Sequence, residues 1–100
     1  MDKKTAVTDI IYRALRTLNA ELGPHQQVVL APDTRLFGPE ASLDSLSLVS
    51  VIVDVETAVA DDFGRPVSLT DDRAMSQPVS PFSSVDTLAD YVVVLLAEAA

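Results

Sequence analysis

Apolar residues recur at helical spacing in three stretches of the chain. In the first stretch, residues 4–22, successive apolar positions are three or four residues apart, which is typical of an amphipathic helix with one buried stripe. Thr5 or Thr8 is expected to cap the start of this helix. The Gly23-Pro24 pair is expected to end it. The predicted buried stripe consists of Val7, Ile10, Ile11, Ala14, Leu15, Leu18 and Leu22.

The second stretch, residues 45–62, carries two conflicting signals. Its run of β-branched residues at 49–55 favours a strand. Its length favours a helix, and so do the N-cap residue Asp44 before it and Gly64 after it. With an advance of about 100° per residue, five apolar side chains fall on one core stripe. We therefore predict a helix whose buried residues are Leu48, Val51, Ile52, Val55 and Val59.

The C-terminal part of the chain holds one further long helix and one short helix. Residues 84–98 run without a helix breaker from Ser84, a residue type favoured at the N-cap position. A short helix is predicted at residues 71–76, before Pro78 and Pro81 interrupt the chain. The buried face of the long helix is predicted to consist of Val85, Leu88, Val92, Leu95 and Leu96.

A long segment without a sustained hydrophobic period separates the first two helices. Residues 23–44 contain three prolines, and a loop of this length usually has packing or a function of its own. We expect an ordered loop that is anchored by Val28, Leu30, Leu36 and Phe37. The elements together predict an all-α fold, a small four-helix bundle with three main helices, one short helix and a long first loop. The chain is expected to form a single domain, residues 1–100, with its core at about 5–97.

Composition and charge exclude several classes of function. Hydrophobic residues make up 48% of the chain, which favours a folded protein, and the net charge is -8. An acidic surface repels nucleic acid and anionic lipid, so neither is expected as a partner. The chain has no Cys and one His, His25, which excludes a thiolate or multi-histidine metal site. We see no signal-peptide pattern or membrane-length apolar run, and we expect a cytoplasmic monomer.

The start of the second helix contains a serine that could carry a covalently attached group. In Asp44-Ser45-Leu46, the serine lies beside backbone N–H groups that have no partner within the helix, at the positive end of the helix dipole. A phosphate attached to the serine oxygen would be held favourably there. The alternative is an ordinary capping serine without a further role.

The second helix also carries a second apolar stripe, which consists of Leu46, Val49 and Val53. These residues lie within about 60° of one another and are offset from the core stripe. They form either an exposed docking patch or an extension of the buried face.

Charge favours the docking patch. Residues 36–64 contain no Lys or Arg, and an acidic rim around a small apolar stripe attracts basic partners. The acidic residues of this region are Glu40, Asp44, Asp54, Glu56, Asp61 and Asp62.

The combination resembles the acyl carrier proteins, which carry Asp-Ser-Leu at the head of their second helix. The most specific match is the segment from Leu43 to Val49, which reads LDSLSLV. The upstream DTRLFG at residues 33–38 is similar to the loop of the family. The downstream segments SPF at 80–82 and VDTLADY at 85–91 are similar to the start of its last helix. The resemblance covers about residues 5–97.

The resemblance implies a function in thioester transport. Ser45 would carry 4'-phosphopantetheine, taken from coenzyme A, between the flanking residues Asp44 and Leu46. The thiol of that group would hold an acyl or aminoacyl cargo. The partners would be a phosphopantetheinyl transferase, an acyl-loading ligase or transferase, and downstream biosynthetic enzymes with basic docking patches. The residues that would contact these partners are Leu46, Val49, Val53, Asp54, Glu56, Asp61 and Asp62.

Two departures from the family pattern favour a specialised pathway over housekeeping fatty acid synthesis. Ser47 and Ser50 stand where carriers of bacterial fatty acid synthesis usually have acidic residues, and the second helix is about one turn longer. Peptidyl carriers typically have a Gly-Gly pair before the serine, where this chain has Ser42-Leu43. This departure argues against a peptidyl carrier, whereas a discrete aminoacyl carrier is kept as an alternative interpretation.

Two other classes of function compete with a carrier. An unmodified acidic helical adaptor would use the same docking face. A small serine hydrolase would need His25 to reach a serine, but no nucleophile-elbow pattern surrounds Ser45. We therefore expect no catalytic residues and no enzymatic activity. The pairs Asp61-Asp62 and Asp71-Asp72 lack the alternating carboxylates of a calcium loop, so no metal site is expected.

Overall fold

The computed structural model describes residues 2–23, 27–37, 43–69 and 81–98, with Ser45 described by its backbone alone. These ranges contain three α-helices and no strand: α1 (Lys3–Glu21), α2 (Ser45–Phe63) and α3 (Val85–Glu98). The all-α class is therefore confirmed. The predicted short helix at residues 71–76 lies outside the described residues, as do His25 and Glu40. No described helix has the length and apolar character needed to cross a membrane.

Helix α1 forms where the apolar period predicts it, within one residue at each end. Its N-cap is Asp2, whose carboxylate accepts the Thr5 backbone N–H at 2.8 Å. The prediction of Thr5 or Thr8 as the cap was therefore wrong. An aspartate three residues earlier already satisfies an N–H of the first turn. The helix ends before Gly23, and Leu22 donates its N–H to the Asn19 carbonyl at 3.1 Å.

Helix α2 resolves the conflict between strand and helix signals in favour of the helix. It begins after Asp44, which caps it, and ends at Gly64, which adopts the left-handed conformation with φ 67°. This conformation is common at helix C-termini and is unstrained in glycine. The core stripe is confirmed in Val51, Ile52, Val55 and Val59, which are buried, while Leu48 is half-buried.

Helix α3 begins at Val85, directly after the predicted cap Ser84. The Ser84 side-chain oxygen accepts the Thr87 N–H at 3.2 Å, and the Thr87 hydroxyl oxygen accepts the Ser84 N–H at 2.9 Å. These reciprocal bonds satisfy donors that the helix leaves without partners. The prediction for the buried face is confirmed in Val85, Leu88, Val92 and Leu96, with Leu95 half-buried.

The core forms around α1, which packs against both α2 and α3. Lys4 adds two ion pairs across the surface to α3, at 2.8 Å to Asp86 and 3.0 Å to Asp90. Several buried residues were not predicted because they lie outside the helical periods or beside the expected stripe. They are Leu43, Leu69, Phe82, Ala89 and Tyr91.

The described part of the long loop is held to α1 and α3 by hydrogen bonds. The Asn19 side chain pairs with the backbone of Val28 through two bonds, at 2.7 and 2.9 Å. At the other end, Arg35 forms an isolated antiparallel bridge with Ser84. The anchors Val28 and Leu36 are buried and Leu30 is half-buried, as expected. Phe37 is 56% exposed, so its prediction as an anchor was wrong.

Candidate functional site

The head of α2 is fixed by two residues that precede it. Leu43 is buried in the core and sets the position from which the chain starts the helix. The Asp44 carboxylate accepts the Ser47 backbone N–H at 2.8 Å, and the Asp44 carbonyl accepts the Leu48 N–H at 2.9 Å. One residue thus provides the cap and the first hydrogen bond of the helix ladder.

The cap also determines the charge at this site. The Ser47 backbone N–H lowers the pKa of the Asp44 carboxyl, with smaller contributions from the Ser47 hydroxyl and the Leu46 N–H. Hydrogen bonds to the charged form stabilise the carboxylate. Asp44 is therefore ionised at neutral pH, and its charge is partly offset by the donors that it caps.

Ser45 is the first residue of α2. Its backbone is in the helix, and its side chain lies outside the described part of the structure. Asp44, before it, is exposed, and the Leu46 side chain, after it, is 82% exposed. The first turn of a helix has N–H groups without partners in the helix ladder, and in α2 the Asp44 carboxylate accepts the one of Ser47.

The second apolar stripe of α2 lies on the surface. Leu46 is 82% exposed, Val49 57% and Val53 51%, whereas Val51 and Val55 on the core stripe are 1% and 0% exposed. The prediction that this stripe is separate from the core is confirmed. Its role in docking stays a prediction.

Two of the predicted partner-contacting carboxylates are already bound within the chain. Glu56 is half-buried, and its carboxylate accepts the Leu69 backbone N–H at 2.8 Å. The Asp62 carboxylate accepts a hydrogen bond from the Arg13 guanidinium of α1 at 2.7 Å. The acidic rim is therefore not of one sign, because α1 contributes a cation that is remote in sequence.

Asp54 and Asp61 differ from these two residues. Both are exposed, and both line a shallow groove between α1 and α2 that Arg13 also borders. Within the described ranges, neither carboxylate has a hydrogen bond or an ion pair. Asp61 follows Asp54 by seven positions, about two helical turns, so both residues lie on one side of α2, about 10 Å apart along the helix axis.

The sequence interpretation missed the bonds made by Arg13 and Glu56 because both depend on tertiary structure. No pattern in α2 indicates which carboxylates have partners 49 or 13 residues away. The residues that the structure describes contain no group of three or more acidic or histidine side chains placed to hold a metal ion.

Three features of α2 bear on a possible function. The site combines a capped helix start at Ser45, an exposed apolar stripe and two carboxylates without partners among the described residues. The chain matches no protein-family model, no curated protein and no solved structure.

Proposed function

We propose that this protein is a discrete acyl carrier protein. It holds acyl or aminoacyl intermediates as thioesters on a 4'-phosphopantetheine group attached to Ser45. The observation that carries the proposal is the head of α2, where the helix starts at Ser45 between a capping aspartate and a leucine that is 82% exposed. An attachment residue needs this kind of position, because a modifying enzyme and several later partners must all reach it.

The order of elements also supports the proposal. A first helix, a long loop and a second helix headed by the candidate serine are the elements that an acyl-carrier fold requires. We propose that the full chain has this finer architecture, a four-helix bundle with one short helix.

The residues around Ser45 have distinct roles in this mechanism. When bound, phosphopantetheine supplies a flexible arm and a terminal thiol, which this cysteine-free chain lacks. Asp44 fixes the start of the helix and, with it, the backbone of Ser45. The protein itself delivers the cargo and does not catalyse its conversion. Its contribution to rate is the raised effective concentration of a tethered substrate at each active site of a partner.

Docking is proposed to use the exposed stripe and the two carboxylates that have no partner among the described residues. Leu46, Val49 and Val53 offer a small apolar contact, and Asp54 and Asp61 offer charges to basic side chains. A contact of this kind associates quickly, is weakened by salt and dissociates readily. This behaviour suits a monomeric carrier that serves a phosphopantetheinyl transferase, a loading enzyme and downstream enzymes in turn.

An unmodified adaptor is the second candidate. The same stripe and carboxylates would bind a basic partner without any group on Ser45, and the exposure of Leu46, Val49 and Val53 fits this function equally well. The two candidates differ in whether Ser45 is needed. Ser45→Ala would abolish the function of a carrier and would leave that of an adaptor almost unchanged.

The test of the proposal is the intact mass of the purified chain after incubation with coenzyme A and a broad-specificity phosphopantetheinyl transferase. We expect the mass to increase by one phosphopantetheine group. Ser45→Ala is expected to show no increase, while the matched control Ser47→Ala is expected to be modified like the wild type. No increase in folded wild-type protein with several transferases would contradict the carrier function and favour the adaptor.

A further inference from the structure

The segment after α2, residues 64–69, runs back along the helix that precedes it. Gly64 ends α2 in the left-handed conformation, which lets the chain reverse direction. Five residues later, the Leu69 N–H lies 2.8 Å from the carboxylate of Glu56. Glu56 is seven residues before Phe63, the last residue of α2, so the segment returns by about 10 Å along the helix axis. We refer to residues 64–69 as the strap.

The strap ends in a side chain that is fully buried. Leu69 is 0% exposed and belongs to the same hydrophobic cluster as Val55 and Val59 of α2. The residues between Gly64 and Leu69 are exposed or half-buried. The strap thus inserts the Leu69 side chain into the interior, and the partly buried Val67 packs against the same cluster.

The hydrogen bond from the Leu69 N–H is accepted by a side chain, the carboxylate of Glu56. The carbonyl groups in the interior of α2 are already used by the helix ladder. A backbone N–H beside a buried leucine that found no acceptor would be penalised. Glu56 supplies the acceptor, and its half-buried position next to the core shields the bond from water.

We propose that the Glu56 carboxylate is a latch that holds the strap closed, so that loss of this one hydrogen bond lets Leu69 leave its buried position more often, while α2 itself stays folded. Glu56 is then a positioning residue of the fold and not a docking residue. This role is independent of the modification of Ser45, because the latch acts in the unmodified chain.

The test is amide hydrogen exchange measured by NMR on the full chain in wild type, Glu56→Ala and Glu56→Gln. Loss of the acceptor is expected to speed exchange at the Leu69 amide about tenfold or more, with little change at Val55 and Val59. Glu56→Gln keeps a side-chain carbonyl at the same reach and is expected to retain most of the protection. The matched control Asp54→Ala removes a carboxylate of α2 that has no hydrogen bond among the described residues, and it should leave Leu69 unchanged.

A second comparison covers the case in which Glu56→Ala does not fold. Glu56→Asp keeps the charge but shortens the side chain by one methylene, so it is expected to expose Leu69 to exchange while Glu56→Gln does not. The latch would be overturned by equal Leu69 exchange in wild type, Glu56→Asp and Glu56→Gln. It would also be overturned if Asp54→Ala increased the exchange rate of the Leu69 amide as much as Glu56→Ala does. Neither result would bear on the modification of Ser45, which the mass measurement tests separately.

Discussion

Helices α1 and α2 each have 19 residues, but they use their apolar side chains differently. On α1, the large aliphatic residues of the stripe are buried, and Tyr12 is half-buried. On α2, a comparable core stripe is buried, yet Leu46, Val49 and Val53 are more than half exposed. The fold itself therefore accounts for the apolar residues of α1 but leaves three of those on α2 unexplained.

This difference separates residues that stabilise the fold from residues available to a partner. An apolar side chain in the core contributes to stability, whereas an apolar side chain on the surface gains little until another surface covers it. The exposed residues of α2 also begin directly after Ser45. The exposed apolar stripe thus begins next to Ser45, the proposed attachment residue, and follows the first half of the helix.

The largest expected effect is the loss of a core leucine on α1. Leu15 is 0% exposed, and Leu15→Ala is expected to lower the free energy of unfolding by about 2–5 kcal/mol. Leu46→Ala on α2 removes the same atoms from a side chain that is 82% exposed, and we expect a change below about 0.5 kcal/mol. Urea denaturation followed by circular dichroism measures both. Equal losses of unfolding free energy in the two variants would contradict the distinction between the buried leucine of α1 and the exposed leucine of α2.

The next effect is on docking rather than on stability. Val53→Asp places a charge in the exposed stripe and is expected to raise the KM of the phosphopantetheinyl transferase about tenfold, with the melting temperature nearly unchanged. Val55→Asp, two residues away on the core stripe, is the matched control and should unfold the protein, because it buries an unpaired charge. If Val53→Asp also unfolds the chain, then Val53 is a core residue and the docking surface is wrong.

The smallest effect concerns the cap of α2 and its pH dependence. The Ser47 N–H lowers the pKa of Asp44, so the folded state favours the ionised carboxyl. Its stabilising contribution is fully present above the ordinary carboxyl pKa, about 4, and is lost as the pH falls through the lower pKa of the folded state. Asp44→Asn keeps a side-chain oxygen as cap but does not titrate. The stability difference between wild type and Asp44→Asn, measured by urea denaturation from about pH 6 to 2.5, should therefore shift in favour of the variant as the pH falls. A difference that does not vary with pH would contradict this role.

The helices could be predicted from the sequence because their causes are local. The apolar period defines α1, and Asp44 and Gly64 bound α2 despite its strand-like valines. Leu69 could not be predicted as a core residue, since a single leucine in an irregular segment has no period to indicate its burial. The exposure of Phe37 was missed for the related reason that an aromatic residue in a loop does not indicate what covers it.

The candidate site was predictable to a similar degree. The position of Ser45 at the head of a helix and the exposure of Leu46 follow from local pattern. The roles of the carboxylates do not, since Glu56 and Asp62 bind groups that only the folded chain brings near. Partners of this kind depend on how α1, α2 and the strap pack together, which the charges along α2 do not encode.

The central claim is that the cofactor is attached at the head of α2, and the most direct measurement is to locate the added mass within the chain. The protein is incubated with coenzyme A and a phosphopantetheinyl transferase, digested, and the peptide that contains residues 43–50 is fragmented in a mass spectrometer. The account predicts one phosphopantetheine group, carried by Ser45. An added group on Ser47, Ser50 or a serine elsewhere in the chain, or no added group in folded protein, would contradict it.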